Sequence, residues 1–212
     1  IIDYGSGNLR SAAKDFERAV SEAGLGLRIT VTGKAEDLAK ASHIVLPGVG
    51  SFRACAEGLR AETGVIEAMH ERVFVGGAPF LGICVGMQLM CTTGTERGQH
   101  EGLGWFEGSV DALDVAATLK VPHMGWNRLL PQGEGRHPLL SGVEDCAHVY
   151  FVHSYAAPVS ADTVASCSYG VDFTALVARG NFMGAQFHPE RSGPVGARIL
   201  GNFLALPAGG KG

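Results

Sequence analysis

The first 92 residues alternate short apolar segments with helical ones, and this alternation limits the fold more than any other feature. Segments 1–3, 27–31, 43–48 and 78–84 have the length and composition of strands, and helical segments separate them. Strands that are joined by helices run parallel, with helices covering both faces of the sheet. We therefore predict an α/β fold with a single doubly wound, mostly parallel sheet and flanking helices. Its functional site should lie beyond the carboxyl ends of the strands.

The second half of the chain is rich in strands. Strand-like stretches, separated by glycine, proline, asparagine or aspartate, follow one another from about residue 104 to residue 190. A helix with Pro194 near its start closes the sequence at residues 193–206. Because the 212 residues contain no internal repeat and no linker, we predict one domain over residues 1–206 and a frayed tail over residues 207–212.

Charge and cysteine content exclude several classes of protein. The net charge is −4 and lysine and arginine form no run, which argues against a nucleic-acid surface or an anionic membrane surface. The five cysteines are odd in number and include no C-x-x-C pair. Neither a disulfide framework nor a zinc site is expected, and a reducing cytoplasm is favoured.

Neither a membrane span nor a signal peptide is predicted. Residues 73–95 carry no charge over a length that could cross a bilayer, but five glycines and Pro79 interrupt the stretch. A buried strand, a turn and a short helix explain it better. The sequence starts at Ile1 without a methionine, so we expect that one or more residues precede it.

Cys84 stands at the end of an apolar strand segment and at the start of a helix predicted over residues 85–92. Gly82 and Gly86 enclose it in the sequence GICVG, which has the G-x-S-x-G form of a nucleophile elbow with cysteine for serine. The glycines let strand and helix pass closely, and the N–H of Val85 faces the oxygen that becomes negative during attack. The helix start favours the thiolate. The pattern indicates a nucleophile; a small buried cysteine is the alternative.

A thiol nucleophile needs a base, and His188 is the histidine that is followed two residues later by a carboxylate, Glu190. In extended backbone, residues two apart point to the same side, and Pro189 keeps His188 out of the helical region. We predict that Glu190 orients the imidazole of His188 and stabilises its protonated form. A surface histidine in a proline turn is the alternative.

The loop at residues 46–52, LPGVGSF, is the candidate for a second oxyanion donor. It leaves a predicted strand, and its two glycines allow a backbone turn that side chains would block. We expect a backbone N–H from Val49 or Gly50. A tight strand-to-helix turn without a function explains the loop equally well.

No motif predicts a cofactor or a metal. The sequence GSGNLR begins like a dinucleotide fingerprint, but Arg10 occupies the position of the third glycine. Neither a phosphate-binding G-x-x-x-x-G-K-[ST] loop nor an H-E-x-x-H pair occurs. His123 and His153 lie in aromatic-rich segments, and we expect core or pocket-wall histidines there.

Together these features resemble the class I, or triad, glutamine amidotransferases. The segments DYGSGN, LPGVGSF, GICVGMQLM, PHMGWN, FVHSY and FHPERSG, in this order, are similar to one branch of that family, the glutaminase subunits of imidazole glycerol phosphate synthase in histidine biosynthesis. The resemblance runs from Asp3 to about Phe203. DYGSGN with PHMGWN is its most specific part.

This resemblance implies that Cys84, His188 and Glu190 form a triad that hydrolyses glutamine to glutamate and ammonia through a thioester. It implies an oxyanion hole made by the N–H of Val85 and one N–H of the 48–50 loop. Val85 and Arg191 depart from the family, which usually has leucine and lysine there. The implied glutamine-binding positions are Gln88, Glu96, His153, Ser154 and Tyr155.

The resemblance also implies a partner, a (β/α)8-barrel cyclase subunit that forms a heterodimer with this chain and receives the ammonia. DYGSGN and PHMGWN are the expected contact segments. Three alternatives remain at the level of sequence. The chain could be a glutaminase subunit of another synthase, a stand-alone cysteine γ-glutamyl hydrolase, or a non-catalytic protein that keeps only the fold.

Overall fold

The structure, a computed structural model, describes residues 1–6, 9–133 and 137–209. The α-helices in these ranges are α1 (Leu9–Glu22), α2 (Ala35–Leu38), α3 (Phe52–Ala61), α4 (Val65–His70), α5 (Val85–Gln88) and α6 (Gly193–Leu204). A π-helical turn, Glu71–Val75, extends α4, and 3-10 turns cover Pro138–Leu140 and Pro189–Arg191. The strands are β1 (Ile44–Gly48), β2 (Phe80–Cys84), β3 (Cys91–Gly94), β4 (His100–Glu101), β5 (Phe106–Ala112), β6 (His123–Arg128), β7 (Leu130–Pro131), β8 (His148–His153), β9 (Tyr155–Ala156), β10 (Thr163–Tyr169), β11 (Val171–Arg179) and β12 (Phe182–Ala185).

The central sheet has the strand order β1-β2-β12-β11-β10-β7, and helices flank it. Strands β1, β2 and β12 are parallel, whereas the pairings β12–β11, β11–β10 and β10–β7 are antiparallel. The sheet is therefore mixed rather than mostly parallel. Gly170 alone connects β10 to β11, and Gly180 and Asn181 connect β11 to β12. Connections this short permit hairpins but no parallel crossover.

The parallel part of the sheet brings three strand ends to one edge. Gly48 and Cys84, the last residues of β1 and β2, pair with each other. Ala185 ends β12 beside Ile83, so the chain reaches His188 three residues later at the same edge. β1 and β2 are buried along their whole length, which explains their continuous apolar sequences.

The first two predicted strands are shorter than expected. Ile2 and Thr32 form an isolated parallel bridge, and the N–H of Ile2 donates to the carbonyl of Val45 in β1. The N-terminal segment thus occupies a strand position beside β1. Two further backbone hydrogen bonds accompany the bridge: the Asp3 N–H donates to the Thr32 carbonyl, and the Thr32 N–H donates to the Ile1 carbonyl.

The helix predicted over residues 85–92 is a single turn. It ends at Gln88, since the carbonyls of Leu89 and Met90 accept hydrogen bonds from Leu103 and Trp105 instead of continuing the helix. Residues 91–94 then form β3. The dipole of so short a helix is small, so the helix start contributes little to the electrostatics of the site.

Two smaller sheets cover the site edge. One has the order β4-β3-β5-β9, and β6 pairs with β8 in an antiparallel ribbon. No helix in the described ranges is long and apolar enough to cross a membrane. Gly209, in the predicted tail, lies against the backbone of Gly76 and Gly77. Residues 210–212 of that tail, and Gly7 and Asn8 of DYGSGN, lie outside the described residues.

Candidate functional site

Cys84 occupies the strained turn that the elbow motif predicts. Its φ of 54° and ψ of −114° lie in a region that residues with side chains rarely adopt. A Cβ on Gly82 would lie 2.7 Å from the Gly86 carbonyl oxygen, and a Cβ on Gly48 would lie 2.5 Å from the Gly86 nitrogen. A Cβ on Gly86 would collide with the carbonyl of Leu46. The glycines are therefore needed where β1, β2 and α5 meet.

The imidazole of His188 lies between a thiol and a carboxylate. Its Nδ1 donates to Glu190 Oε1 at 2.7 Å, and its ring hydrogen-bonds the Cys84 thiol. The backbone of His188 is held by its N–H, which donates to the carbonyl of Tyr150, and by its carbonyl, which accepts from the Ser192 hydroxyl. Residues that are distant in sequence thus form a Cys-His-Glu array.

Two opposing effects determine the pKa of His188. Burial lowers the pKa, but the hydrogen bonds to Cys84 and Glu190 and the charges of these groups outweigh burial and raise it to about 10. In the described part of the chain, the buried Oε2 of Glu190 has no hydrogen-bond partner, whereas Oε1 accepts from His188 Nδ1. The ring stays protonated at neutral pH, and an imidazolium stabilises a neighbouring thiolate.

Ten of the eleven predicted site residues line one pocket of about 370 Å³, and the eleventh, Glu190, lies behind His188. The sequence analysis missed two lining residues, Pro122 and Val152; each adjoins a predicted histidine of the pocket wall. Arg191, noted as a departure from the family, also lines the pocket.

The pocket wall holds two polar side chains in defined orientations. The Gln88 amide nitrogen donates to the Tyr155 carbonyl at 2.9 Å and to Gln186 Oε1 at 3.0 Å. These bonds use both amide hydrogens, so Gln88 can offer a ligand only its oxygen, an acceptor. Glu96 Oε2 accepts from the N–H of Phe52 at the start of α3, which fixes this carboxylate beside the pocket.

The candidate oxyanion loop contacts the N-terminal segment. The Val49 N–H lies 3.4 Å from Ser6 Oγ, and the Val49 carbonyl accepts from Ser6 Oγ at 2.8 Å and from the Cys55 thiol at 3.3 Å. The Val49 donor is therefore engaged by Ser6. In a trans peptide, the carbonyl and the next N–H point in opposite directions, so the Gly50 N–H points away from Ser6 and Cys55.

The other four cysteines differ from Cys84. Burial raises the pKa of Cys91 and Cys167 to about 12, which keeps both as thiols, and Cys146 is exposed. The Cys55 thiol donates a hydrogen bond to the Val49 carbonyl. Within the described residues, no three or more histidine, cysteine, aspartate or glutamate side chains are grouped so that they could hold a metal ion.

His123 and His153 make the free energy of unfolding depend on pH. Burial lowers the pKa of each to about 4. Between about pH 6.5 and pH 4 the unfolded chain binds these protons while the folded chain does not, so the free energy of unfolding falls as the pH falls. The loss approaches about 1.4 kcal/mol per pH unit for each histidine. Urea unfolding at a series of pH values measures it. His153→Gln should reduce the slope by one histidine's share, and an unchanged slope would contradict the expectation.

The chain belongs to the class-I glutamine amidotransferases, because the model of that family matches residues 1–206. Within this class it is similar to curated proteins named imidazole glycerol phosphate synthase subunit HisH. It is 51% identical over 209 residues to the one from Rhodospirillum rubrum and 50% identical over 210 residues to the one from Agrobacterium fabrum. Both alignments cover 96% of this chain and 96% of the relative. The resemblance predicted from the motifs is confirmed.

Solved structures agree on the fold. A crystal structure of a glutamine amidotransferase has a TM-score of 0.69 at 19% identity, and the match covers 96% of this chain and 95% of that one. The glutaminase domain of Trypanosoma brucei CTPS with bound acivicin has a TM-score of 0.65 at 15% identity, with 96% and 89% covered. These likenesses confirm the α/β class.

Proposed function

We propose that this chain is the glutaminase subunit of an imidazole glycerol phosphate synthase. It hydrolyses glutamine to glutamate and ammonia and delivers the ammonia to a cyclase subunit. The observation that carries the proposal is the His188 ring, held between the Cys84 thiol and the Glu190 carboxylate, at a pocket of about 370 Å³. That size is within the range of small-molecule sites.

The first half-reaction forms a thioester. The Cys84 thiolate attacks the side-chain amide carbon of glutamine, and the carbonyl oxygen becomes negative. The N–H groups of Val85 and Gly50 stabilise that oxygen; one such donor contributes about 3–4 kcal/mol. The His188 imidazolium donates its proton to the departing nitrogen, and ammonia leaves.

The second half-reaction restores the Cys84 thiolate and the His188 imidazolium. His188, now neutral, takes a proton from water, and the hydroxide attacks the thioester carbon. The carbon–sulfur bond breaks and Cys84 leaves as the thiolate, while His188 keeps the proton that it took from water. The new carboxylic acid loses its proton to solvent, and glutamate leaves. Glu190 keeps the imidazole in one orientation through both steps by accepting from Nδ1.

The pocket supplies complementary groups for the rest of glutamine. The Glu96 carboxylate, held by the N–H of Phe52, pairs with the α-ammonium group. Gln88 offers its oxygen as an acceptor, and the 153–155 segment receives the carboxylate end. The match of these positions to the family supports these assignments.

Ammonia in water at neutral pH is mostly protonated and cannot act as a nucleophile, so it must reach its acceptor protected from solvent. We assign this role to a (β/α)8-barrel cyclase subunit that forms a heterodimer with this chain.

Exposed apolar residues support a docking face for this subunit near the pocket. Val49 lines the pocket and is 44% exposed, and Trp126 is 56% exposed. Trp126 packs against Tyr150. The guanidinium of the pocket residue Arg191 lies over the ring of the same tyrosine.

We further propose a single domain and a cytoplasmic location. Residues 1–206 form one domain, a view that the range of the family match supports. All five cysteines are unpaired, which supports a reducing cytoplasm as its location.

Glutamine hydrolysis should increase by about tenfold or more when the cyclase subunit is added, because partner binding and the site are coupled. Ammonia release with and without that subunit tests this. Trp126→Ala should weaken the complex by about 2 kcal/mol, since buried tryptophans dominate interfaces, and should leave hydrolysis by the isolated chain unchanged.

Val75→Ala is the matched control for this prediction. Val75 is 65% exposed but precedes β2 at the opposite edge of the sheet from Cys84, so complex formation should not change. Full hydrolysis by the chain alone, with no binding of the cyclase, would instead indicate a stand-alone γ-glutamyl hydrolase.

A further inference from the structure

Two buried histidines have no part in the bond-making steps: His153 lines the pocket wall, and His123 lies outside the pocket lining. His123 and His153 are 3% and 6% exposed, and they face each other across the β6–β8 ribbon. His123 Nδ1 lies 3.0 Å from His153 Nε2. The His123 ring stacks between Phe151 and Tyr169, with centroid distances of 4.9 and 4.1 Å. An apolar ring would fill this space without burying polar atoms, so packing alone does not account for the pair.

The hydrogen bonds fix where the protons lie. His153 Nδ1 is 3.0 Å from the Tyr155 carbonyl, which can only accept, so Nδ1 carries the hydrogen and Nε2 accepts. His123 must then donate through Nδ1, which leaves its Nε2 as the acceptor for the amide nitrogen of Asn127 at 3.3 Å. That amide donates its second hydrogen to the carbonyl of Ser168. The hydrogen bonds therefore form a series in which each group donates to the next, from β6 to the Tyr155 carbonyl.

This series of hydrogen bonds ends in the glutamine pocket. The Tyr155 carbonyl also accepts from the Gln88 amide, whose other hydrogen goes to Gln186. The Gln186 amide nitrogen lies 3.9 Å from Cys84 Sγ. A shift of the Tyr155 carbonyl would release Gln88 to rotate and would turn its oxygen away from a ligand.

We propose that His123 is a positioning residue for glutamine binding: through His153 it holds the Tyr155 carbonyl, and this carbonyl orients the Gln88 amide so that its oxygen faces the substrate. This inference rests on the proposed glutaminase function. It concerns substrate binding more than the chemical steps, because the series of hydrogen bonds reaches the pocket wall and not the His188–Glu190 pair.

Two substitutions at one position separate hydrogen bonding from packing. His123→Phe keeps the stacked ring but removes the donor to His153. His123→Asn loses the ring but keeps an amide nitrogen the same number of bonds from the backbone as Nδ1. We expect His123→Phe to raise the KM for glutamine about fivefold or more with a smaller change in kcat, and His123→Asn to stay within about twofold of the wild-type KM.

The control is Thr174→Val, which also removes a buried donor, from the hydrogen bond to the Pro158 carbonyl, but lies outside the pocket. Its KM should not change. The inference fails if His123→Phe keeps the wild-type KM while His123→Asn raises it, the result expected from packing alone. It also fails if both variants have the KM of the wild type. A wild-type chain that does not hydrolyse glutamine would refute the proposed function instead.

A measurement without kinetics tests the same inference should His123→Phe not fold. In the full chain at neutral pH, nitrogen-15 NMR of labelled histidine should place the hydrogen on Nδ1 of both His123 and His153. A hydrogen on Nε2 of His123 would reverse the direction of the hydrogen bonds and overturn the inference.

Discussion

Replacing Cys84 with alanine lowers kcat/KM for glutamine hydrolysis by at least about 10⁴-fold, because no other group can form the thioester. The fold should persist, since alanine meets the same backbone strain at φ 54° and leaves only a small cavity at a residue that is 4% exposed. Calorimetry should therefore still detect glutamine binding. Ammonia and glutamate release give the rate.

The matched control for this substitution is Cys167→Ala. Cys167 is also fully buried, but it lies in β10 and outside the pocket. The Cys167→Ala variant should lose some free energy of unfolding and should keep its glutamine-hydrolysing activity. Hydrolysis by Cys84→Ala at the wild-type rate would remove Cys84 as the nucleophile and with it the proposed mechanism.

Gly86→Ala lowers the free energy of unfolding by at least about 3 kcal/mol, the second large effect that we expect. Its Cβ would collide with the carbonyl of Leu46, a backbone atom of the buried strand β1 that cannot move aside. For a domain of this size the melting temperature should fall by about 6–12 °C. Thermal and urea unfolding measure the change.

Gly201→Ala makes the same chemical change where nothing lies within 4 Å of the added methyl group. Gly201 is inside α6, so alanine should be neutral or stabilise the helix by up to about 1 kcal/mol. If the two variants had equal stability, the close approach of α5 to β1 would not explain the glycine at position 86.

The elbow and its base were predictable because the rules that govern them act over a few residues. Glycines on either side of Cys84 and a carboxylate two residues after His188 are visible in short segments of sequence, and local sterics give them a geometric meaning. The alternation of strands and helices likewise predicted the α/β class. The roles of these residues in catalysis stay predictions until the substitutions are measured.

The errors in the predicted fold arose from short connections and distant partners. The single-residue link at Gly170 makes an antiparallel hairpin of β10 and β11, and these strands extend the sheet that we predicted to be mostly parallel; the short link is visible in the sequence. The helix after Cys84 stops at Gln88 because Leu103 and Trp105 capture the next carbonyls. No local pattern indicates that competition.

The sequence by itself determined the class of fold, the cysteine elbow and the histidine with its carboxylate. Only the tertiary structure placed His188 against Cys84, turned the Val49 N–H toward Ser6, and joined His123 to His153. The physical reason is range: backbone sterics and side-chain periodicity act between near neighbours. Contacts between residues 30 or more positions apart depend instead on how whole strands pair and pack.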